Sequence, residues 1–417
     1  MSLLRPAGPL GRWLCVEELE HRRAIMALES VWSALAAQEE EPGPFFLPVW
    51  FAVQAAALAR PPRSLRLLVA HDRGRLVAAL PLLVEERRVA GLRLRVLRSL
   101  SDDHSQRFDL VAEGDTAVAA LWRHLAADPS WDVVELREVP EGSRRAGRLH
   151  ELAREAGYPV SVWPSLRSPY LPLASTVEEF EARLDAKFRA NLRRRRRNLE
   201  KLGAVELERV TAPEAAAAGA LDAALDEGFA LEKGGWKGTE GTAIACDPEL
   251  LRRYRALAHV FARRGELSLH FLRVGGRRVA FHFAIERGGT YYLLKPGYDE
   301  TLRQHGPGHL LVWEVARALI RRGAREFDFL GNDMEWKRDW TQCGRNHAWL
   351  SIYRPTVRGR ALHAWKTCAV PLLREGLEHC PPLLRDLGHR WMRSWSMLEQ
   401  RERQRGGQRG AGFLETE

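Results

Sequence analysis

A short internal repeat constrains the fold of this chain more than any other feature. Residues 74–83, GRLVAALPLL, and 276–285, GRRVAFHFAI, share G-R-x-V-A and a final aliphatic residue. Each follows an alternating, strand-like segment and a glycine turn, and each precedes another strand-like segment. The sequence of 417 residues therefore predicts one fold that occurs twice.

The order of elements around each repeat predicts the fold class. Helical patterns precede three strand-like segments, and a helix and one further strand follow them. That helix lies near 115–127 in the first copy and 308–322 in the second, and the strands are WDVVELREV and REFDFLGN. This order predicts an α/β fold with a mixed, mostly antiparallel sheet, one β-α-β crossover and helices on both faces in each copy.

The boundary between the copies is predicted from proline. Three prolines interrupt the periodicity in VWPSLRSPYLPL, residues 162–173. We therefore expect domains at 1–165 and 166–356. Residues 357–417 are typical of basic amphipathic helices with a polar tail, and these helices either cover a sheet edge or dimer contact, the more common case, or bind a membrane surface.

The composition excludes several classes of protein. The chain has no continuous apolar stretch of about 18 residues and no apolar signal-peptide core, which indicates a cytoplasmic protein, with peripheral association at the inner membrane face as an option. Its five cysteines are scattered without a C-x-x-C pair. This spacing predicts neither a disulfide framework nor a metal site.

Positive charge is concentrated in one segment. Lys187 to Lys201, KFRANLRRRRRNLEK, holds eight basic residues and one acidic residue, 8 − 1 = +7 of a net charge of +10. Apolar residues at helical spacing predict one helix that starts at an S-x-x-E capping box, Ser175 and Glu178, and stops at Gly203. The basic residues form either a solvated face or a surface for an anionic partner such as a membrane, tRNA or a phosphorylated substrate.

The segment RQHGPGHLL, residues 303–311, has the composition of an anion-binding turn. It lies between a strand-like and a helix-like segment, where backbone N–H groups and the helix dipole attract phosphate. Gly306 and Gly308 would let the backbone approach a diphosphate, and Arg303 or His309 could contact its oxygens. The alternative is a plain helix-capping turn.

The first copy lacks this turn. At the corresponding place it reads LSDDHSQRFDL, which has no glycine and contains two adjacent acids, Asp102 and Asp103. Two carboxylates repel phosphate. The sequence therefore predicts a phosphate site in the second copy alone.

These residues carry a family resemblance. RQHGPG fits the R/Q-x-x-G-x-G/A pyrophosphate loop of the GCN5-related N-acetyltransferases (GNAT), and it follows the fourth core strand, as in that family. With GWKG, LLKPGYDE and FDFLGNDMEWKRDWT, residues from about 45 to 355 resemble the bacterial tandem-domain branch, which contains cellulose-biosynthesis-associated (CelD/BcsL-like) acetyltransferases and is related to Fem-type peptidoglycan bridge ligases.

The resemblance implies an N- or O-acyltransferase with acyl-CoA (acetyl-CoA) as co-substrate on the second domain. By family analogy its acceptor is a cell-envelope polysaccharide or surface-glycan precursor. Two alternatives stay open, a Fem-like transferase with an aminoacyl-tRNA donor and a non-enzymatic basic scaffold or membrane adaptor. The predicted donor-binding set comprises Arg303, Gly306, Gly308, His309, Leu294 and Lys295.

Catalytic candidates come from two loops. Acyl transfer from a thioester requires a polarised carbonyl and a proton for the thiolate. The loops after LLKPGY and FDFLGN leave the carboxyl ends of neighbouring strands, so their side chains are expected to converge. This nominates Lys295, Tyr298, Asp299, Asp328, Asn332, Asp333 and Lys337.

The resemblance gives roles to some of these residues. Lys337 matches the place where Fem relatives carry an oxyanion-stabilising lysine, and Tyr298 is the candidate acid, although the family tyrosine usually follows the fifth strand. Asp328 is either a base or an anchor for Lys337 or an arginine. On the acceptor side we predict Asp299, Asp333 and a lid formed by Trp236 and Lys237 of GGWKG.

Overall fold

The computed structural model describes residues 14–39, 43–89, 92–211, 219–235, 241 and 243–369. The first copy of the repeat contains five helices and seven strands within these ranges. They are β1 (Leu14–Leu19), α1 (Arg22–Ala27), α2 (Glu29–Ala36), α3 (Pro48–Leu58), β2 (Ser64–Asp72), β3 (Arg75–Val89), β4 (Leu92–Ser99), β5 (Val111–Ala112), α4 (Gly114–Ala127), β6 (Val133–Pro140), α5 (Arg144–Glu155) and β7 (Val160–Pro172).

The second copy repeats this order after two added helices. Its elements are α6 (Val177–Arg183), α7 (Ala186–Glu200), β8 (Val205–Val210), α8 (Ala220–Gly234), α9 (Pro248–Arg263), β9 (Leu267–Val274), β10 (Arg277–Arg287), β11 (Thr290–Tyr298), α10 (Pro307–Arg321), β12 (Glu326–Asp328), α11 (Glu335–Arg338) and β13 (Gly344–Tyr353), with α12 (Val357–Ala364) beyond it. The predicted α/β class with mixed sheets is confirmed.

The described chain divides into two compact units. The first contains the residues up to Ser165 and those from Asn346 onward, and the second contains Leu166–Arg345. The division at 165 coincides with the predicted boundary, but residues 346–356, which we expected in the second domain, belong to the first unit. The reason is strand pairing, since β13 pairs antiparallel with β6 of the first unit.

Strand pairing follows the same scheme in both units. In the first, β1 to β4 form an antiparallel series, and β4 then pairs parallel with β6. In the second, β8 to β11 form the antiparallel series, β11 pairs parallel with β12, and Tyr170–Pro172 of β7 pair antiparallel with β12. Each parallel ladder joins only three residue pairs.

Helices cover both faces of the second unit's sheet, as the alternation along β10 shows. Ala280 and Ala284 belong to the core cluster that contains α10. Phe283, which points the opposite way on the pleated strand, packs against Phe229 of α8 and Tyr254 of α9, with ring centroids 6.4 and 5.4 Å apart. The buried side chains of β10 therefore pack into two cores, one on each face of the sheet.

The single helix expected over the basic segment is interrupted and forms two helices. The capping box predicted at Ser175 and Glu178 was wrong. Thr176, rather than Ser175, caps α6 by accepting a hydrogen bond from the Glu179 N–H at 3.1 Å. The chain is extended at Leu184, and Asp185 then caps α7 by accepting from the Phe188 N–H at 2.8 Å. The break occurs because Asp185 starts a new helix.

Candidate functional site

The loop after β11 is built around a glycine in a left-handed conformation. A 3-10 turn spans Glu300–His305, and Gly306 follows with φ 56° and ψ 51°. A residue with a Cβ would be strained there. Pro307 then opens α10, where its missing N–H and fixed φ suit the first turn. The turn thus leads into the N-terminus of a 15-residue helix, whose unbonded N–H groups form an anion-attracting end.

Gly308 allows close packing within the same loop. A Cβ at this position would lie 3.4 Å from Cδ1 of Tyr298. The tyrosine ring at the end of β11 therefore lies beside the first turn of α10. The structure brings together Tyr298, Gly306 and Gly308, which the sequence had placed in one site.

β11 and β12 pair over only three residues, because β12 ends at Asp328. Their ladder begins at Thr290 and Glu326 and ends at Tyr292 and Asp328, whereas β11 continues to Tyr298. Its register against β10 shifts between Phe283 and Ala284, which leaves Leu294 as a bulge. Leu294 and Lys295, both predicted donor-site residues, lie on the part of β11 beyond its ladder with β12.

His309 occupies an apolar part of the site. Its ring stacks on Trp340 with centroids 6.1 Å apart and meets the edge of Phe188 at 5.6 Å. Burial, and then the charge of Arg195, lower the pKa of His309 to about 4. The imidazole is thus neutral at pH 7, so the predicted contact with phosphate would be a hydrogen bond rather than an ion pair.

Tyr298 keeps its proton well above neutral pH. Burial raises the pKa of its phenol, and the neighbouring Glu300 carboxylate raises it further by charge and by a hydrogen bond. A phenol in this state can donate a proton but is a poor base. The protonated phenol is compatible with the predicted acid role.

The two acids predicted on the acceptor side are held by arginines. Asp299 caps the 3-10 turn by accepting from the Thr301 N–H at 3.0 Å, and it pairs with Arg277 at 2.6 Å. Asp333 pairs with Arg167 at 3.0 Å and with Arg338 at 3.1 Å. An acceptor that binds either carboxylate would have to share it with these guanidinium groups.

Lys337 and Asp328 both act on Leu330, whose backbone is left-handed at φ 52°. Asp328 is fully buried and accepts the Leu330 N–H at 2.9 Å. The buried Lys337 ammonium donates to the Leu330 and Asn332 carbonyl oxygens at 2.5 and 2.7 Å. The two side chains therefore hold an unfavourable loop in place. Asp328 also lies 3.8 Å from Arg345, so of its two predicted roles the anchor has direct contacts.

A cleft of about 350 Å³ opens between α8 and the 3-10 turn. Its lining combines three acids, one arginine and small or apolar residues. The lining residues are Glu227, Ala230, Leu231, Gly234, Arg278, Asp299, Glu300 and Thr301. This part of the unit is suited to a ligand that carries an amino group or several hydroxyl groups.

α7 divides its basic residues among three faces. One face packs inward and comprises Phe188, Leu192, Arg195 and Leu199. On a second face, Arg193 pairs with Glu181 at 2.9 Å and Arg196 with Glu200 at 3.0 Å. The third face carries Lys187, Arg194 and Lys201, all exposed and about 10 Å apart along the helix axis. In the described part of the chain these three, called the basic stripe below, form no ion pair.

Sequence reasoning missed two residues of this region. Arg195 lies beside Gly306, and its position three residues after Leu192 and seven after Phe188 was a signal for the inward face. Glu300 was missed because no motif marks a carboxylate that acts on a tyrosine two residues away. The predicted lid residues Trp236 and Lys237 lie outside the described residues, as does most of the C-terminal segment.

Two further findings apply to the described ranges. No cluster of three or more His, Cys, Asp or Glu side chains there could hold a metal ion. Among the helices in the same ranges, none combines the length and apolar character that crossing a membrane requires.

Part of the second unit matches a known domain family, and several solved structures have a similar fold. Residues 186–338 match the model of the acetyltransferase (GNAT) domain family. The crystal structure of FemX is 12% identical with a TM-score of 0.52 and covers 83% of this chain and 100% of its own, a likeness in fold. No curated protein matches the chain by sequence.

Two other solved structures are similar at lower scores. One is the C-terminal DUF2156 domain of a putative lysylphosphatidylglycerol synthetase from Agrobacterium fabrum, 10% identical over 81% of this chain and 95% of its own, with a TM-score of 0.48. The other is a tandem GNAT protein from the clavulanic acid biosynthesis pathway, 13% identical over 82% of this chain and 99% of its own, with a TM-score of 0.40.

Proposed function

We propose that this chain is an acyl-CoA-dependent N- or O-acyltransferase whose donor is bound by the second unit. One observation carries the proposal. Inside the stretch that matches the GNAT domain, left-handed Gly306 leads into α10 just after β11, which extends beyond its short ladder with β12. A diphosphate at the loop would meet backbone N–H groups and the helix dipole, and an extended acyl arm would lie between the strands.

The transfer step needs few groups. The acceptor's amine or hydroxyl attacks the thioester carbonyl, the carbon–sulfur bond breaks, the proton that the nucleophile loses passes to solvent, and the thiolate takes a proton from an acid that solvent then reprotonates. Tyr298 supplies that proton, because its raised pKa keeps it protonated at neutral pH. Lys337 stabilises the oxyanion through its charge, since two of its three N–H groups are occupied by loop carbonyls.

We propose that the acceptor binds in the cleft beside the 3-10 turn. Glu227, Asp299 and Glu300 on its lining favour a neutral or amine-bearing group over an anion. This supports a sugar precursor of the cell envelope, the acceptor class that the family resemblance implies. Transfer to an amino sugar would be N-acylation, and transfer to a neutral sugar would be O-acylation.

A second candidate is transfer from an aminoacyl-tRNA. The observation that favours it is the basic stripe of Lys187, Arg194 and Lys201, whose exposed cations match a phosphodiester backbone. A membrane surface would use the same charges.

Donor binding separates the two candidates. The chain is titrated with acetyl-CoA and, separately, with a charged tRNA at 50 and 200 mM salt. Saturable acetyl-CoA binding that tRNA does not displace supports the first. A chain that binds only the tRNA, and loses that binding when the basic stripe is changed to alanine, supports the second. Binding of neither donor rejects both.

A further inference from the structure

The inward face of α7 contains one cation among apolar residues. Leu192 and Leu199 are fully buried, and Phe188 packs on Trp340 with ring centroids 5.0 Å apart. Arg195 lies on this same face, three residues after Leu192 and four before Leu199, and is partly buried. A long cationic side chain costs conformational entropy and desolvation in such a position unless it has a partner.

Arg195 is in contact with the glycine loop. A Cβ built on Gly306 would stand 3.0 Å from both Cδ and Nη1 of Arg195. The guanidinium group therefore lies over the left-handed residue that precedes α10. It adds a full positive charge to a place that already carries the positive end of the helix dipole.

The structure gives Arg195 no counter-ion of its own. Two nearby arginines of α7 are paired, Arg193 with Glu181 and Arg196 with Glu200 and Glu314. Within the described ranges neither Arg194 nor Arg195 forms an ion pair, but Arg194 is exposed whereas Arg195 is partly buried. A partly buried guanidinium that forms no ion pair can bind an anion from outside the chain.

The charge of Arg195 acts on the groups around the loop. It contributes to the lowered pKa of His309, after burial, and it partly offsets the raised pKa of Asp339, which burial and Glu335 cause. His309 lies in the first turn of α10, and Asp339 directly follows α11. The influence of Arg195 is therefore centred on the loop rather than on solvent.

We infer that Arg195 is a direct ligand of the donor's phosphate groups, completing with α7 the anion site that Gly306 and the N-terminus of α10 begin. This inference rests on the proposed function for the identity of the donor. The ligand class is a diphosphate or an equivalent phosphorylated group. The planar guanidinium can donate two parallel N–H bonds to phosphate oxygens, which a lysine cannot do.

The test compares Arg195→Ala with Arg197→Ala, an exposed arginine of the same helix outside the basic stripe, in the full chain. Three probes are titrated: acetyl-CoA, inorganic pyrophosphate and S-acetylpantetheine, which carries the acyl arm without phosphates. We expect Arg195→Ala to weaken acetyl-CoA and pyrophosphate binding about tenfold or more. Arg197→Ala should stay within about twofold, and neither change should alter S-acetylpantetheine binding.

Three outcomes would overturn the inference. The first is that Arg195→Ala binds pyrophosphate and acetyl-CoA with the affinity of the parent chain. The second is that Arg195→Ala weakens S-acetylpantetheine binding as much as acetyl-CoA binding, which would mean that Arg195 only supports the loop. The third is that the parent chain binds no pyrophosphate. A parent chain that binds pyrophosphate through Arg195 but not acetyl-CoA would keep the anion site and reject the acyl-CoA proposal.

Discussion

The two units carry different residues at the end of their parallel ladders. The parallel ladder of the first unit ends at Arg98 and Glu135, both buried, whereas that of the second ends at Tyr292 and Asp328. In the first unit Glu135 is surrounded by cations, with Arg87 at 3.1 Å and Lys366 at 3.9 Å. In the first unit several cations surround this carboxylate, whereas in the second unit Asp328 accepts the Leu330 N–H and lies 3.8 Å from Arg345.

The helix that follows shows the same contrast. In the first unit, α4 begins with Glu113 as its N-cap and Asp115 in its first turn, so two acids occupy its positive end. In the second unit, α10 begins with Gly306 and Pro307 and has no acid in its first turn. One copy has internal carboxylates where the other can receive an external anion.

The largest expected effect is in the ion network of the first unit. Burial raises the pKa of Glu135, but the charges of Arg137, Arg87 and Lys366 hold that pKa well below its usual value. Glu135→Gln leaves these cations without their carboxylate and should cost about 3–5 kcal/mol of unfolding free energy. Asp328→Asn, whose carboxylate accepts the Leu330 N–H at 2.9 Å and lies 3.8 Å from Arg345, should cost less, about 1–3 kcal/mol.

Urea denaturation of both variants measures this difference. Equal losses of stability would contradict the view that the first unit uses this position for structure. Acetyl-CoA affinity is the control, and Glu135→Gln should leave it unchanged.

The units should also respond oppositely to pH. Burial raises the pKa of Asp109, in the first unit, from 3.8 to about 6, so its contribution to stability is present at low pH and is lost as the pH rises through 6. His309, in the second, has its pKa lowered from 6.5 to about 4, so its contribution is lost as the pH falls below 6.5. Each effect is on the order of 2 kcal/mol.

Denaturation midpoints at pH 4.5 and pH 7 test this pair. Asp109→Asn should remove the loss of stability on going to pH 7, and His309→Gln should remove the loss on going to pH 4.5. If both variants keep the pH dependence of the parent chain, the assignment of these groups is wrong.

Lys337→Ala should reduce the rate of acyl transfer by at least about tenfold while donor affinity stays within twofold. Lys337 lies in α11, and its ammonium contacts the loop after β12. We predict no catalytic role for a residue at the equivalent place in the first unit. The measurement is thiol release with an acceptor that supports transfer, and Lys201→Ala on the basic stripe is the matched control. Unchanged turnover in a folded Lys337→Ala chain rejects the oxyanion role.

Tyr298→Phe should have the smallest effect, about fivefold to tenfold on turnover. Because the pKa of Tyr298 is raised above its usual 10, the parent rate should show no alkaline loss up to about pH 10. A parent rate that declines near pH 8 would point to another acid.

The sequence predicted those elements whose ends are determined by nearby residues. Gly306 and Pro307 determine where a turn ends and α10 begins, so that helix was expected within one residue of its observed start. The repeat of G-R-x-V-A located β3 and β10, because a hairpin with a short turn is a local structure.

Non-local pairing and backbone strain left no such signal. β13 follows the second copy in the chain but pairs with β6, and three residues of β7 pair with β12, which strand propensity cannot reveal. Leu330 adopts a positive φ because Asp328 and Lys337 hold it there, although leucine by itself disfavours that conformation.

The central claim is that the glycine loop of the second unit binds the donor's diphosphate, and calorimetry with acetyl-CoA tests it most directly. The parent chain is compared with a Gly306→Val, Gly308→Val double variant and with Gly147→Val, at a helical glycine of the first unit with open space around it. We expect the parent chain and Gly147→Val to bind with the same affinity and the double variant to lose binding. Equal binding by all three chains would contradict the claim.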